Sequence, residues 1–254
     1  MIKNKKNFFL FKINESWFIN EPSISKIFSF CINFQSKSKK KHFGYVRKPF
    51  YTKIIDLNQD MLLIFSSFNS TTRNEIKKAE KIGMIFNVKK NISLFVEFYN
   101  NFAKIKKLAL LDIKKIEPMG NITEITYVTM KNESIHVEPL VMHLYLIDYI
   151  EKRVTLLNSA SLFRYEKLST VKNIIGNANR FLHYNDMIYF KSKGFKIYDF
   201  GGYAKDTNDS EKKGINFFKD SFGGELIEES NYFSIPAYIG KKIQIIFNNI
   251  ANNI

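Results

Sequence analysis

The chain has 254 residues, 45% of them hydrophobic, and a formal net charge of +15 at pH 7. This length allows one large domain or two small ones, with enough apolar residues to bury a core. The single cysteine, Cys31, excludes an internal disulfide and a zinc site made from several cysteines. No apolar run approaches the roughly 18 residues of a membrane span, and no cleavage site follows the apolar start. We therefore expect a cytoplasmic protein without a transmembrane segment or secretory signal.

The excess of positive charge has two interpretations. The first is attraction to a polyanion, which could be nucleic acid, an anionic membrane face or a phosphorylated cofactor. The second is a composition rich in Lys, Asn, Ile and Phe, with lysines scattered over most segments. Only the segment KSKKK, residues 37–41, is a true run of charge, and we interpret it as a solvated loop.

The first 83 residues are predicted to form a β-rich extension with basic helices. Residues 28–34 alternate apolar and polar side chains, which indicates a strand, and residues 51–57 form another after the basic loop. Asn58 is placed to cap a helix. Thr72 and Glu75 have the spacing of a capping box for the next helix, which ends at Gly83.

From Met84 onward, the pattern predicts helices and strands in a mixed order. Hairpin turns are expected at Lys131-Asn132 and near Glu151. A turn at Gly176 is expected to open a long helix that Gly194 ends. The predicted elements are a strand at 85–89, two helices within 95–116, strands at 122–130, 140–148 and 153–159, the long helix, a strand at 196–200, a helix at 211–220, strands around 226 and 233, and a helix at 241–250.

Two motifs in the second half of the chain carry a resemblance to a known family. They are IGNANRFLHYNDMIYFKSKGFKIYDFGG, residues 175–202, and FKDSFGGE, residues 218–225. Two upstream segments fit as well: STTRNEIKKAEKIG, residues 70–83, and HLYLIDYIEKRVTLLNSASLFR, residues 143–164. In their order and spacing these segments resemble the GNAT-like acyltransferases of bacterial envelope biosynthesis. They are also similar to the FemABX peptidyltransferases, which share that fold.

The resemblance implies an α+β GNAT fold, in which helices flank a mixed and mostly antiparallel sheet. The predicted order of elements places this GNAT-like acyltransferase domain at residues 84–254. Residues 1–83 are then an added N-terminal extension, and their first part resembles no family that we can name.

The resemblance also implies a site for a thioester donor, usually acyl-CoA. The donor would enter where the 153–159 strand separates from the 196–200 strand, near Ser159, and bond to unpaired backbone groups. The pyrophosphate would lie at the start of the long helix, whose free N–H groups suit phosphate. Asn173 stands where the GNAT signature has Arg or Gln. The residues expected to bind the phosphates are Gly176, Asn177, Ala178, Asn179 and Arg180.

The implied reaction is acyl transfer to an amine, which requires aligned reactants, a base and an oxyanion site. His143 is the first candidate for the catalytic base, because histidine titrates near neutral pH. Asp199, in the YDFGG motif, either orients the substrate or caps the glycine turn. Arg73 and Lys219 are candidates for binding the acceptor. The sequence has no Walker loop, no HExxH motif and no cluster of metal ligands, so no metal is expected.

The sequence thus predicts an N-acyltransferase that uses acyl-CoA and a small amine acceptor. The resemblance favours a nucleotide-linked amino sugar of a surface polysaccharide precursor, and a homodimer is compatible with it. One alternative is a FemABX-like aminoacyltransferase that uses aminoacyl-tRNA. Otherwise nucleic acid is not an expected partner. Another alternative is a GNAT-fold binding protein without catalytic activity.

Overall fold

The computed structural model describes residues 2–8, 11–130, 138–164 and 169–251 of the chain. Within these residues the protein is α+β. The strands are β1 (Ile2–Phe8), β2 (Phe11–Trp17), β3 (Cys31–Ser36), β4 (Tyr45–Asp56), β5 (Met84–Val88), β6 (Thr123–Met130), β7 (Val141–Asp148), β8 (Arg153–Ser161), β9 (Ile197–Tyr203) and β10 (Glu225–Ser234). The α-helices are α1 (Met61–Ser67), α2 (Ser70–Lys81), α3 (Ile92–Lys106), α4 (Ile113–Ile116), α5 (Ser169–Ser192), α6 (Ser210–Asp220) and α7 (Ile235–Ala251).

The chain divides into two compact units. The first contains Met1–Thr52 and Leu226–Ile254, and the second contains Lys53–Glu225. The boundary predicted between residues 83 and 84 lies inside the second unit. There α2 packs against α5, because the buried Ile76 and Ala79 of α2 join the same apolar cluster as α5. In the described part of the chain, no helix is long and apolar enough to cross a membrane.

The first unit is built on strands in the order β1-β2-β3-β10-β4. β2 runs parallel to β3, with Asn14 opposite Cys31, and β10 runs antiparallel to β3. A small core of Ile13, Ile32, Phe233 and Ala237 lies where α7 packs against these strands.

The second unit is built on strands in the order β9-β8-β7-β6-β5. Neighbours from β5 to β8 are antiparallel, and β8 pairs with β9 in parallel. The sheet is therefore mixed and mostly antiparallel, as predicted. The hairpin turn predicted at Lys131-Asn132 lies outside the described residues.

The two faces of this sheet are covered by different helices, and β7 shows why. Tyr145 and Ile147 join one apolar cluster with α2 and α5, whereas Met142 and Leu144 join another with α3 and α4. Successive side chains of a strand point to opposite faces. All eight residues of β7 are buried, so this strand is the centre of the unit.

Several element boundaries differ from the predictions because other polar side chains cap the helices. α2 begins after Asn69, whose side chain accepts from the Thr72 N–H, so the Thr72 capping box was wrong. α1 is capped by Asp60 rather than by Asn58. The two strands predicted around residues 226 and 233 are the single strand β10. The predicted start of the long helix was also wrong, because α5 already begins at Ser169.

Candidate active site

A network of buried polar side chains joins β7, β9 and α5 on one face of the sheet. We call it the His143 network, and each of its members is at most 2% exposed. His143 Nδ1 lies 2.8 Å from Asp186 Oδ2, and the Tyr145 hydroxyl donates to the same oxygen at 2.6 Å. The Tyr145 and Tyr198 hydroxyls are 2.6 Å apart, and His183 Nδ1 lies 2.6 Å from the Tyr198 hydroxyl.

Burial fixes the protons of this network. It raises the pKa of the Tyr145 and Tyr198 hydroxyls well above their usual value, so both tyrosines stay protonated. Burial also lowers the pKa of His183 well below its usual value, so its ring is neutral. Tyr145 gives its one proton to Asp186, so Tyr198 must donate to Tyr145. His183 Nδ1 must then carry the hydrogen that it donates to Tyr198.

The second nitrogen of His143 faces α5. His143 Nε2 lies 3.1 Å from Asn179 Oδ1, and Asn179 itself is only half-buried. His143 is directly opposite Ser159 in the β7–β8 register, so the two side chains share a face. The structure therefore brings together three of the predicted site residues: His143, Ser159 and Asn179. It also shows that no part of the His143 side chain reaches solvent.

Asp186 is only partly satisfied. Its Oδ1 is buried and has no hydrogen-bond partner, whereas Oδ2 accepts from two donors. His143, His183 and Asp186 also offer metal-ligand atoms within 4.8 Å of one another. However, Nδ1 of each histidine is already hydrogen-bonded, and His143 Nε2 faces an amide. A cation would have to displace some of these bonds.

Asp199 lies on the other face of the sheet from the His143 network, since it follows Tyr198 along β9. Its Oδ2 accepts from Arg153 Nη2 at 2.6 Å and from the Thr155 hydroxyl at 3.0 Å. Its Oδ1 accepts from the Gly201 N–H at 2.8 Å. Asp199 therefore caps the glycine turn and is paired with a buried arginine. The structure does not bring the two predicted catalytic residues together.

Lys219 is buried against the same glycine turn. Its ammonium group donates to the carbonyl oxygens of Gly201 at 3.0 Å and Gly202 at 2.5 Å. Burial lowers the pKa of Lys219 from 10.5 to about 8, while the nearby Asp199 acts in the opposite direction. The F-K-x-x-F-G-G-E segment thus fixes the carbonyls of the Y-D-F-G-G segment, and a role for Lys219 in binding the acceptor stays a prediction.

The predicted phosphate site needs a correction. Gly176 to Asn179 lie inside α5 rather than at its start, so their N–H groups belong to the interior of a helix. Arg180 is also engaged within the protein, with its guanidinium 2.8 Å from Glu75 and 5.0 Å from the centre of the Phe218 ring. Free N–H groups for a pyrophosphate are therefore not found at the predicted position.

Arg73, the other predicted acceptor-binding residue, lies in the first turn of α2. Its Nη1 donates to the carbonyl oxygen of Ser66 at 2.9 Å and to that of Phe68. These bonds hold the end of α1, and acceptor binding by Arg73 stays a prediction.

β8 and β9 pair over a short distance only. Their parallel register covers Arg153–Thr155 and Ile197–Asp199, although β8 continues to Ser161. Opposite Leu144 and Tyr145 the register of β8 shifts by one residue, which places a bulge at Leu157. The pairing ends at Asp199. Gly201, two residues later, has a φ of 71°, and a Cβ there would lie 2.6 Å from the Leu156 carbonyl oxygen. Beyond Thr155, the described part of β8 stays paired with β7 on one side, whereas its pairing with β9 on the other side has ended.

A groove of about 670 Å³ opens on the other face of the sheet, between α3 and the end of β8. Its apolar wall is formed by Leu94, Phe98, Phe102, Ile105 and Leu162. Glu97, Glu138 and Ser161 provide polar atoms at its edge. The groove is large enough for an acyl chain or a small ring.

The sequence did not reveal Tyr145, His183, Asp186 and Tyr198 as site residues. Their spacing carries only one signal, which is that His183 and Asp186 are three apart and so share a face of α5. The missing information is the register of α5 on the sheet, which depends on contacts between elements distant in the sequence.

These features define the class of the protein as a GNAT-like α+β fold. No protein-family model and no curated protein sequence matches the chain. Among solved structures the chain is similar to FemX, with a TM-score of 0.61 and 15% identity over 79% of this chain and 68% of that one. It is also similar to L-PGS from Bacillus licheniformis, with a TM-score of 0.57 and 10% identity over 98% and 86% of the two chains. A C-terminal domain named as a lysylphosphatidylglycerol synthetase, from Agrobacterium fabrum, has a TM-score of 0.59 and 9% identity over 95% and 84%.

Proposed function

We propose that the chain is a transferase that moves an acyl group from an activated donor to an amine. The observation that carries the proposal is the position of Ser159. It lies in the part of β8 that β9 leaves unpaired, and it faces His143 across the β7–β8 register. An extended donor bonded along β8 would thus place its carbonyl next to a histidine.

In this proposal the base is the pair formed by His143 and Asp186. Asp186 Oδ2 accepts from Nδ1–H of the imidazole, and Nε2 accepts a proton only once the Asn179 amide oxygen, an acceptor that faces it, has turned away. Nε2 is covered by the half-buried Asn179 amide, so the acceptor amine reaches it when that side chain rotates away. The amine then attacks the donor carbonyl directly, and its proton passes to Nε2. The bond from the carbonyl carbon to the sulfur or oxygen of the donor breaks, and the leaving thiol or hydroxyl takes up the proton from Nε2. In this proposal an N–H group at the Leu157 bulge stabilises the oxyanion, because a bulge removes backbone groups from the regular pairing of the strands.

The first candidate for the donor is acyl-CoA, and the acceptor is then an amino sugar of a surface polysaccharide precursor. The apolar groove between α3 and the end of β8 lies on the opposite face of the sheet from His143, so it does not place an acyl chain at the proposed base. No described feature yet provides the pyrophosphate site, since Gly176 is inside α5.

The second candidate is aminoacyl-tRNA, and the position of α5 favours it over acyl-CoA. A tRNA donor does not need a pyrophosphate site at Gly176, and the formal charge of +15 suits a polyanion. The similarity to FemX and to a lysylphosphatidylglycerol synthetase over most of the chain supports the same choice.

The test offers the purified protein two labelled donors, an acyl-CoA series and charged tRNA, each with a panel of amino sugars and amine-bearing lipids. Transfer that stops on ribonuclease treatment identifies tRNA as the donor, and transfer that needs the thioester identifies CoA. His143→Gln and Asp186→Asn should each lower the rate by about 10²-fold or more. Transfer at the wild-type rate in both variants would contradict the role of the pair, and no transfer from either donor would contradict the function.

A further inference from the structure

The first unit carries an exposed apolar surface surrounded by lysines, which the proposed function does not use. We name it the apolar rim and define it by Ile24, Phe28, Phe43 and Ile235. These side chains are 75%, 89%, 83% and 50% exposed, respectively. Large apolar side chains are rarely left in water to this extent side by side without a binding partner.

The four residues of the rim lie on segments that contact one another. The Tyr45 hydroxyl, two residues after Phe43, donates to the Ser23 carbonyl oxygen next to Ile24 at 2.8 Å. The Ile235 N–H donates to the Gly44 carbonyl oxygen at 3.1 Å, which joins the start of α7 to the residue after Phe43. The Ser234 hydroxyl donates to the Ser29 carbonyl oxygen at 2.7 Å, next to Phe28. A Cβ on Gly44 would lie 2.6 Å from Ile27, so the loops that carry Phe28 and Phe43 are in contact.

The loop before Phe43 is held in a fixed shape. The Tyr232 hydroxyl donates to the carbonyl oxygens of Ser38 at 3.0 Å and Lys40 at 2.6 Å. His42 packs edge-on against the Tyr232 ring, and its Nε2 lies 2.9 Å from the Ser38 hydroxyl. The backbone of the KSKKK segment is therefore anchored, and the exposed side chains of Lys39, Lys40 and Lys41 extend from an ordered loop.

The charge around the rim is strongly positive. Residues 20–48 contain seven basic residues and one acidic residue, Glu21. The exposed apolar surface also continues along α7, because Ile239 and Ile243 follow Ile235 at helical spacing and are about half-exposed. The combination of exposed isoleucine and phenylalanine with a lysine border is typical of segments that lie at the surface of an anionic bilayer.

We propose that the apolar rim binds the surface of an anionic lipid membrane. Ile24, Phe28, Phe43 and Ile235 enter the boundary between head groups and acyl chains, and Lys39–Lys41 lie among the anionic head groups. RNA is the less suitable occupant, because two of the four rim residues are aliphatic and offer no ring on which a base can stack. This inference does not depend on the proposed function.

The test is sedimentation of the full chain with vesicles of phosphatidylcholine alone or with about one third phosphatidylglycerol. We expect binding to the anionic vesicles that weakens between about 0.1 M and about 0.5 M salt. Phe28→Ser with Phe43→Ser should weaken this binding by about 10-fold or more. Lys39→Gln, Lys40→Gln and Lys41→Gln together should weaken it by about 10-fold and remove most of its salt dependence.

Matched controls come from the second unit. Leu62→Ser with Phe217→Ser replaces two side chains that are 79% and 70% exposed, and Lys77→Gln, Lys78→Gln and Lys81→Gln replaces three exposed lysines of α2. Both control variants should bind like the wild type. Because all substituted side chains are exposed, circular dichroism and melting temperature should not change.

Three results would overturn the inference. The first is absence of binding to anionic vesicles. The second is unchanged binding by the Phe28 and Phe43 variant, since the attraction would then come from general charge. The third is a wild-type dimer in analytical ultracentrifugation that the same variant converts to a monomer, which would make the occupant a second copy of the chain. A separate measurement supports the insertion directly: Phe28→Trp in a Trp17→Phe background should shift its emission to shorter wavelength on anionic vesicles.

Discussion

The buried ammonium group of Lys219 makes a prediction about stability and pH. Its pKa in the folded protein is about 8, against an ordinary value of 10.5. Between these two pH values the unfolded chain holds a proton that the folded chain has released. The free energy of unfolding must therefore rise with pH across this window, and the cost of burying the charge is fully present below pH 8.

The size of the effect follows from the two pKa values. A difference of 2.5 pKa units, between 10.5 and about 8, corresponds to about 3 kcal/mol in total. Between about pH 7.5 and about pH 9.5, before tyrosines titrate, the gain is about 2 kcal/mol. Lys219→Met removes the titrating group, so the wild type should gain about 2 kcal/mol relative to this variant over that range.

The assay is urea unfolding of the wild type, Lys219→Met and Lys213→Met at several pH values in this interval. Lys213 is an exposed lysine of α6, so its variant should follow the wild type. The difference between the wild type and Lys219→Met also contains the loss of two hydrogen bonds to Gly201 and Gly202. A neutral amine still has two N–H groups to donate, so this part changes little with pH. If the free energies of unfolding of the wild type and Lys219→Met changed in parallel with pH, the lowered pKa of Lys219 would be refuted.

Three further predictions concern single residues of the second unit. Gly176→Ala should raise the free energy of unfolding by about 0.5–1 kcal/mol, because Gly176 is inside α5 and an added Cβ meets nothing within 4 Å. A lower free energy of unfolding in urea would argue against a helix at this position. Gly224→Ala should lower the free energy of unfolding by at least about 2 kcal/mol, since the φ of Gly224 is 76° and the Cβ would lie 2.3 Å from the Ile54 carbonyl oxygen. A variant as stable as the wild type would show that this turn can relax. Arg153→Met should cost about 3–5 kcal/mol in the same assay, because it removes the positive charge beside the buried Asp199 carboxylate, although Thr155 and Gly201 still donate to it. Unchanged stability of this variant would mean that Asp199 takes up a proton instead.

The sequence predicted the α+β class and most of the elements of the second unit, because their apolar periodicity is strong. β7 is an example: apart from His143, Tyr145 and the final Asp148 its residues are aliphatic or Met, and the strand is wholly buried. The start of α5 was missed for a local reason. A glycine at residue 176 resembles a helix start, whereas tertiary packing of Ile175 and Ala178 keeps it within the helix.

The candidate site was only partly predictable. His143, Ser159 and Asn179 were chosen from motifs and do come together. Asp186 was not identified as a site residue, because nothing in the spacing of α5 tells which turn will face β7. The same limit applies to Asp199, where the motif indicated a functional carboxylate and the structure shows a partner in Arg153, located on another strand.

The strand order of the first unit has a consequence for how the chain acquires its structure during synthesis. β10 lies between β3 and β4, so residues 225–234 complete a sheet whose other members are made at the beginning of the chain. The second unit is a continuous stretch and can fold as soon as it has left the ribosome. The first unit cannot, and until β10 arrives the edges of β3 and β4 stay open to pairing with other chains. A nascent protein of this topology should depend on chaperones mainly for its early strands, and a late truncation should affect the earliest residues most.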